Sequence, residues 1–168
     1  MTSRSRWGGE WLWASADTNA GCSPLYDQVV EGSFRLRQIV GGIPHWAQVA
    51  VRAEPAEHDD VAVLDGILAR RRREVYGPTA AVDSPADRRL VAEAVDGARY
   101  ALRRRGDDAT SYLVTVTQIV DAPVDTAVGD VKLAAVAATC QAIGVELKRP
   151  PLMGAGGAVF PEDQPGPG

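Results

Sequence analysis

The side chains in this chain that could do chemistry are few, and they sit far apart. The densest cluster is EPAEHDD, which sets Glu57, His58, Asp59 and Asp60 in a polar run. A divalent cation needs converging ligands, and one histidine in a turn after a strand rarely supplies them. The run reads as a solvated turn, and no metal or cofactor is expected. Cys22 lies in a polar stretch. Cys140 lies in an apolar one, with no histidine beside it to make it a nucleophile. No disulfide framework or zinc spacing follows, which fits a reducing cytosol. GAGGAV at 154–159 lacks the lysine and the strand–helix frame of a phosphate loop, so no GTP binding is expected. With no nucleophile–base pair and no catalytic carboxylate pair, the expectation is a protein that is not an enzyme.

Binding residues are easier to find. Arg35, Arg37 and Arg52 fall on the outward side of neighbouring strand-like segments, where they make a basic face that Thr115 and Thr117 extend. Arg70 to Arg73 read as a solvated face, with a phosphate-binding patch as the other reading. Two short loops draw notice. One holds Gly41, Gly42, Ile43, Pro44 and His45; the other holds Asp121, Ala122, Pro123, Val124 and Asp125. His45 is either a contact residue or a turn residue before Trp46. A rigid apolar Pro-Val pair can stack on a nucleobase or wedge beside one without charge. The net charge of −4 argues against a binder driven by bulk positive charge, while leaving room for a local basic patch.

The 168 residues suffice for one domain with a core, and 45% hydrophobic with 24% charged residues suits a globular middle. Residues 1–30 are Ser/Gly/Asp-rich and read as a flexible arm. Its Trp7, Trp11 and Trp13 pack on the domain, are left over from a truncated neighbour, or form a partner-binding stripe. Residues 31–152 form the domain, and 153–168 read as a Gly/Pro-rich disordered tail. MTSRSRWGGEWLWASAD lacks the apolar core of a signal peptide, and no run reaches membrane-spanning length. A cytoplasmic location with no membrane partner is expected.

SFRLRQIV and WAQVAVRAEP both alternate with period two around GGIP, which predicts a hairpin with one buried face: Phe34, Leu36, Ala47, Val49, Val51 and Ala53. DDVAVLDG predicts a third strand; ILARRRREVYG is open between strand extension and short helix. SPADRRLVAEAVDGARYALRRRG predicts a helix capped by Ser84, Pro85 and Asp87, with Leu90, Ala94, Ala98 and Ala101 on its buried stripe. YLVTVTQIV predicts a strand. A second helix is predicted from about Thr126 to Ile143, so rich in alanine that it must lie close against a sheet. VELKRP adds a last short strand. The fold class is α+β, a four-stranded sheet with two helices packed on one face.

Three of these segments, in this order, resemble the fourth domain of elongation factor G and, more closely, that of the tetracycline-resistance ribosomal protection proteins. GGIPHWAQVAVRAEP is similar to the family's tip loop and first long strand, with Trp46-Ala47 where the protection proteins carry Trp-Ala. VAEAVDGARYALRRRG is similar to its helix, matched at Ala94, Val95, Gly97-Ala98 and Gly106. VTVTQIVDAPVDTAVGDVKLAAVAATCQAIGVELKRPPL is similar to its strand, second tip loop, helix and exit strand. The elongation factors carry a histidine before V-D-S-S where Ala122 or its neighbour stands; the protection proteins carry Pro-Val, as Pro123-Val124 does. The resemblance implies a left-handed βαβ crossover, against the general preference for right-handed ones. It also implies that both loops meet at a tip that enters the decoding region of the small ribosomal subunit.

The expectation is therefore a non-catalytic, translation-factor-like domain that binds the ribosomal small subunit or RNA through Gly41, Gly42, Pro44, His45 and Asp121 to Asp125. The alternative is a repurposed or remnant domain that binds a protein or small molecule and leaves the ribosome alone.

Overall fold

Alternating small apolar and polar side chains make an 11-residue strand, β1 (Val30–Val40), and a 13-residue strand, β2 (Ile43–Pro55), antiparallel and in unbroken register from Val30↔Ala53 to Val40↔Ile43. In the computed structural model, which describes residues 29–81, 83–106 and 110–161, this hairpin is one half of a four-stranded sheet of order β1-β2-β4-β3. β4 (Tyr112–Asp121) runs antiparallel to β2, and β3 (Asp60–Val63) runs parallel to β4. A parallel neighbour requires a crossover, and the intervening chain supplies it as α1 (Ile67–Tyr76) and α2 (Pro85–Arg104). The fold class is α+β, as expected.

α2 begins as its sequence dictates. Ser84 Oγ accepts from the Asp87 N–H while Asp87 reaches back to the Ser84 N–H, a complete capping box with Pro85 in the first turn. α3 (Asp130–Ile143) lies over β1 and β2, and its small residues let it lie very close. A Cβ on Gly32 would stand 2.1 Å from the Ala138 carbonyl oxygen, and one on Gly97 only 2.3 Å from that of Lys132. These two glycines are therefore required by close approach: of α3 to the sheet and of α2 to α3. Leu36, Val49, Val51, Val114 and Val116 fill the layer between, together with Leu90, Ala94 and Ala98 from α2.

ILARRRREVY, left open between strand extension and short helix, is a third helix, α1, anchored by Leu68 and by Arg72. Three features differ from the sequence reading. The alanine-rich helix starts at Asp130 instead of Thr126, because Gly129 takes a left-handed φ of 90° there, and Val128 is left exposed. VELKRP is not a strand. The segment expected to be disordered from residue 153 instead forms a ribbon, β5 (Leu152–Gly154) with β6 (Gly157–Val159). Phe160 then packs edge-on against Tyr100, ring centroids 5.5 Å apart, under the Lys132 ammonium. One buried aromatic is enough to dock so short a segment, and a composition dominated by Gly and Pro hides it. The arm, apart from residues 29 and 30, and residues 162–168 lie outside the described residues.

A bulge shifts β4 in phase. Val51 pairs with Val116 but Ala50 pairs with Gln118, so one residue of β4 goes unpaired. Beyond it Ile119 turns inward, and so does Asp121 at the end of the strand.

Candidate functional site

Register places the two loops at one end of the sheet. The β1–β2 turn is closed by Val40↔Ile43, and Ala47 lies opposite Asp121. Gly41 and Gly42 both have positive φ, 59° and 83°, the geometry of a tight two-residue hairpin turn that other side chains resist. The Trp46 N–H donates to the Asp125 carbonyl at 2.8 Å, joining the two loops through their backbones. Thr126 reinforces the joint: its hydroxyl donates to the Trp46 carbonyl and accepts from the Ala122 N–H. The Ala122 carbonyl accepts from the N–H groups of Asp125 and Thr126, so the second loop is a closed turn with Pro123 and Val124 at its apex. Val124 is 92% exposed, and Pro44, Ile43 and Pro123 are exposed beside it. A third loop joins them: the Ala155 carbonyl at the ribbon's turn lies beside Gly41.

Two residues expected at the contact surface lie beneath it. His45 is 4% exposed, and its Nδ1 donates to Asp130 Oδ1 at 2.9 Å. Alternation explains this: His45 shares the inward phase of Ala47 and Val49. Asp121 is turned inward by the bulge and accepts both terminal nitrogens of Arg72 at 2.9 Å. Arg72 also holds Asp87, and this double pairing keeps its guanidinium firmly protonated, led by the Asp121 hydrogen bond. For Asp87, burial pushes the carboxyl up, but the hydrogen bonds from Arg72 and Ser84 prevail and hold it below the ordinary value.

Beneath the tip, the start of α3 is occupied by the protein's own carboxylates. Asp130 Oδ2 accepts from the Ala127 N–H at 2.8 Å, and Glu93 Oε2 from the Gly129 N–H at 3.1 Å. Burial raises the Glu93 carboxyl above its ordinary value. A helix N-terminus filled in this way is not offered to an external phosphate. The tip presents shape and apolar surface.

The three arginines expected on a basic face are all exposed on the sheet. Arg35 and Arg37 are exposed on the side of the sheet away from the helices; Arg35 Nε donates to Gln48 Oε1, and Arg37 stands across from Trp46. Arg52 is ion-paired with Glu54, which takes up much of its charge. Asp59 is held between Arg105 and the Tyr112 N–H, anchoring the turn read as solvated. Burial pushes the Cys140 thiol up to about 11, an unreactive setting. Among the described residues no helix is long and apolar enough to cross a membrane.

Arg72, Thr126 and Asp130 were missed as site residues. Arg72 was hidden in a run of four arginines whose helical phase could not be fixed. Asp130 and Thr126 looked like ordinary helix-start residues, and only the register of β2 against β4 brings His45 and Trp46 to them.

The fold and site together define an α+β domain whose loops converge on a braced, apolar tip. A crystal structure of a protein from Thermus thermophilus has this fold: TM-score 0.50 and 18% identity, covering 71% of this chain and 16% of that one. The present chain thus spans a small part of that protein. No family model matches the chain, and no curated protein matches it.

Proposed function

We propose that this chain is a non-catalytic, translation-factor-like domain that binds RNA through its tip, with the decoding region of the small ribosomal subunit as the target. One observation carries the reading: Pro123 and Val124 are held outward at the apex of a closed turn, beside the Gly41–Gly42 hairpin, by bonds from Trp46 and Thr126. An apolar residue 92% exposed on a rigid mount gains nothing for the fold. It suits a contact surface whose ordering cost is already met before binding. The resemblance of the two loops to the tip of elongation factor G and the protection proteins supports the choice of target. Arg35 and Arg37, exposed on the open face, supply phosphate contacts.

Co-sedimentation of the full chain with purified small subunits at two salt concentrations tests this. The expected result is association at low salt that weakens, without vanishing, at higher salt. No association even at low salt removes the ribosomal reading and puts in its place a domain that binds a protein or small molecule.

A further inference from the structure

β1 is an open edge. Among the described residues it pairs with β2 on one side only, runs 11 residues without a bulge in its register and contains no proline. Edges of this kind invite another strand unless something blunts them. The turn fixes which residues face outward. Val40 and Ile43 close a two-residue hairpin, so the even-numbered residues of β1 bond to β2 and the odd-numbered ones turn their peptide groups to the free edge. Ser33 confirms the phase, since its N–H leaves the ladder and donates to the Gln141 side chain at 3.0 Å.

We infer that this edge pairs with the β1 edge of a second copy of the chain, antiparallel, with the dyad at Phe34. The charges and exposed apolar groups on the odd-numbered face carry the inference, because they are self-complementary in this register. Glu31 meets the second copy's Arg37, and Arg37 meets its Glu31. Val29 meets Ile39, and these two are 49% and 77% exposed in the single chain. Ser33 meets Arg35. Neighbouring registers are worse. A shift centred on Ser33 keeps Glu31 opposite Arg35 but sets Arg37 against Val29 and leaves Ile39 unmatched. A shift centred on Arg35 sets that residue against its own copy, a like-charge pair. The Gln141 side chain turns aside on pairing, since the Ser33 N–H then finds a backbone carbonyl. The product is a continuous eight-stranded sheet with one tip at each end.

Sedimentation of the full chain from about 10 to 500 µM tests the pairing. The wild type is expected to move from the monomer mass towards twice it. Glu31→Arg and Arg37→Glu each turn two opposite-charge pairs into like-charge pairs and are expected to raise the dissociation constant about ten-fold or more. Both residues are exposed, so circular dichroism should show an unaltered fold. The double variant restores the pairs in mirror order and is expected to recover most of the lost association. A wild type that stays monomeric throughout, a dimer indifferent to either single reversal, or a double variant no better than the singles overturns the assignment. An effect from Glu31→Arg without one from Arg37→Glu overturns this register in favour of the one centred on Ser33.

Discussion

The waist of the molecule and its tip are built with opposite polarity. At the waist, Val49, Val51, Val114 and Val116 face α2 and α3, while charged and polar side chains face water. At the tip, His45–Asp130 and Arg72–Asp87–Asp121 are inside, while Ile39, Ile43, Val124 and Val128 are outside. The waist is held by area and close packing, which tolerate no extra atom but need no direction. The tip is held by directed bonds, which fix the position of each loop yet add little net stability for each ion desolvated. A fold maximising stability alone would not be made this way. Directed bonds below and apolar groups above suit a part whose task is to hold a shape against another surface.

The comparison is broken most severely by Arg72→Met. It leaves the carboxylates of Asp87 and Asp121 buried without their partner, and a loss of about 3–5 kcal/mol is expected in denaturant unfolding. Removing all three charges together, as Arg72→Met with Asp87→Asn and Asp121→Asn, should recover much of that loss. A triple variant as unstable as the single one would show that Arg72 acts through packing. At the waist the corresponding change is Gly32→Ala. The added carbon meets the Ala138 backbone, which must move, and a loss of about 1–3 kcal/mol is expected. A neutral result would mean that α3 lifts freely from the sheet.

The waist was legible from sequence and the base of the tip was not, for a physical reason. Ala47, Val49, Val51 and Ala53 announce their face by period, because area is summed along a strand. Ser84, Pro85 and Asp87 announce a helix start because the capping bonds are local. His45–Asp130 joins residues far apart in the chain, and nothing in either neighbourhood signals the other. The bulge in β4 compounds this: it reverses the phase of Asp121, and a strict alternation from Tyr112 places that carboxylate outside. Pro123-Val124 was legible as a loop apex because proline and its neighbour have narrow backbone choices.

Acid separates two of the tip's carboxyls. Asp87 has a lowered folded value, so its contribution is present above the unfolded value of 3.8 and is lost as pH falls through the lower folded one. Glu93 is raised. The folded state holds its proton more tightly, so the advantage is complete below the unfolded value of 4.5 and is lost as pH rises through the folded one. Glu93→Gln keeps an acceptor for the Gly129 N–H and removes the charge. It should raise the melting temperature at pH 7 and leave it nearly unchanged below pH 4. A variant less stable at pH 7 would show that the ionised carboxylate favours the fold, against its burial.

The smallest effect on stability belongs to the most exposed residues, and there the proposed function is most open to test. Pro123→Gly with Val124→Gly removes the apolar apex but leaves Ala122, Asp125 and Thr126 to close the turn. Val124 is 92% exposed and Pro123 exposed, so little buried area is lost, and the freedom that glycine adds to the unfolded chain sets the expected loss at about 1 kcal/mol. Binding should respond out of proportion. Wedging or stacking releases no counterions, so affinity for small subunits should fall while the dependence of log K on log salt keeps its slope. Arg37→Ala should do the reverse in part, flattening that slope by about one unit. The two variants, titrated over one salt series, divide the tip from the open face. If the glycine variant binds as the wild type does, the apex is not a contact surface, and the rigid mount beneath it serves the fold alone. If it unfolds instead, the apex belongs to the waist in its energetics, and the contrast between the two regions is wrong where it was drawn most sharply.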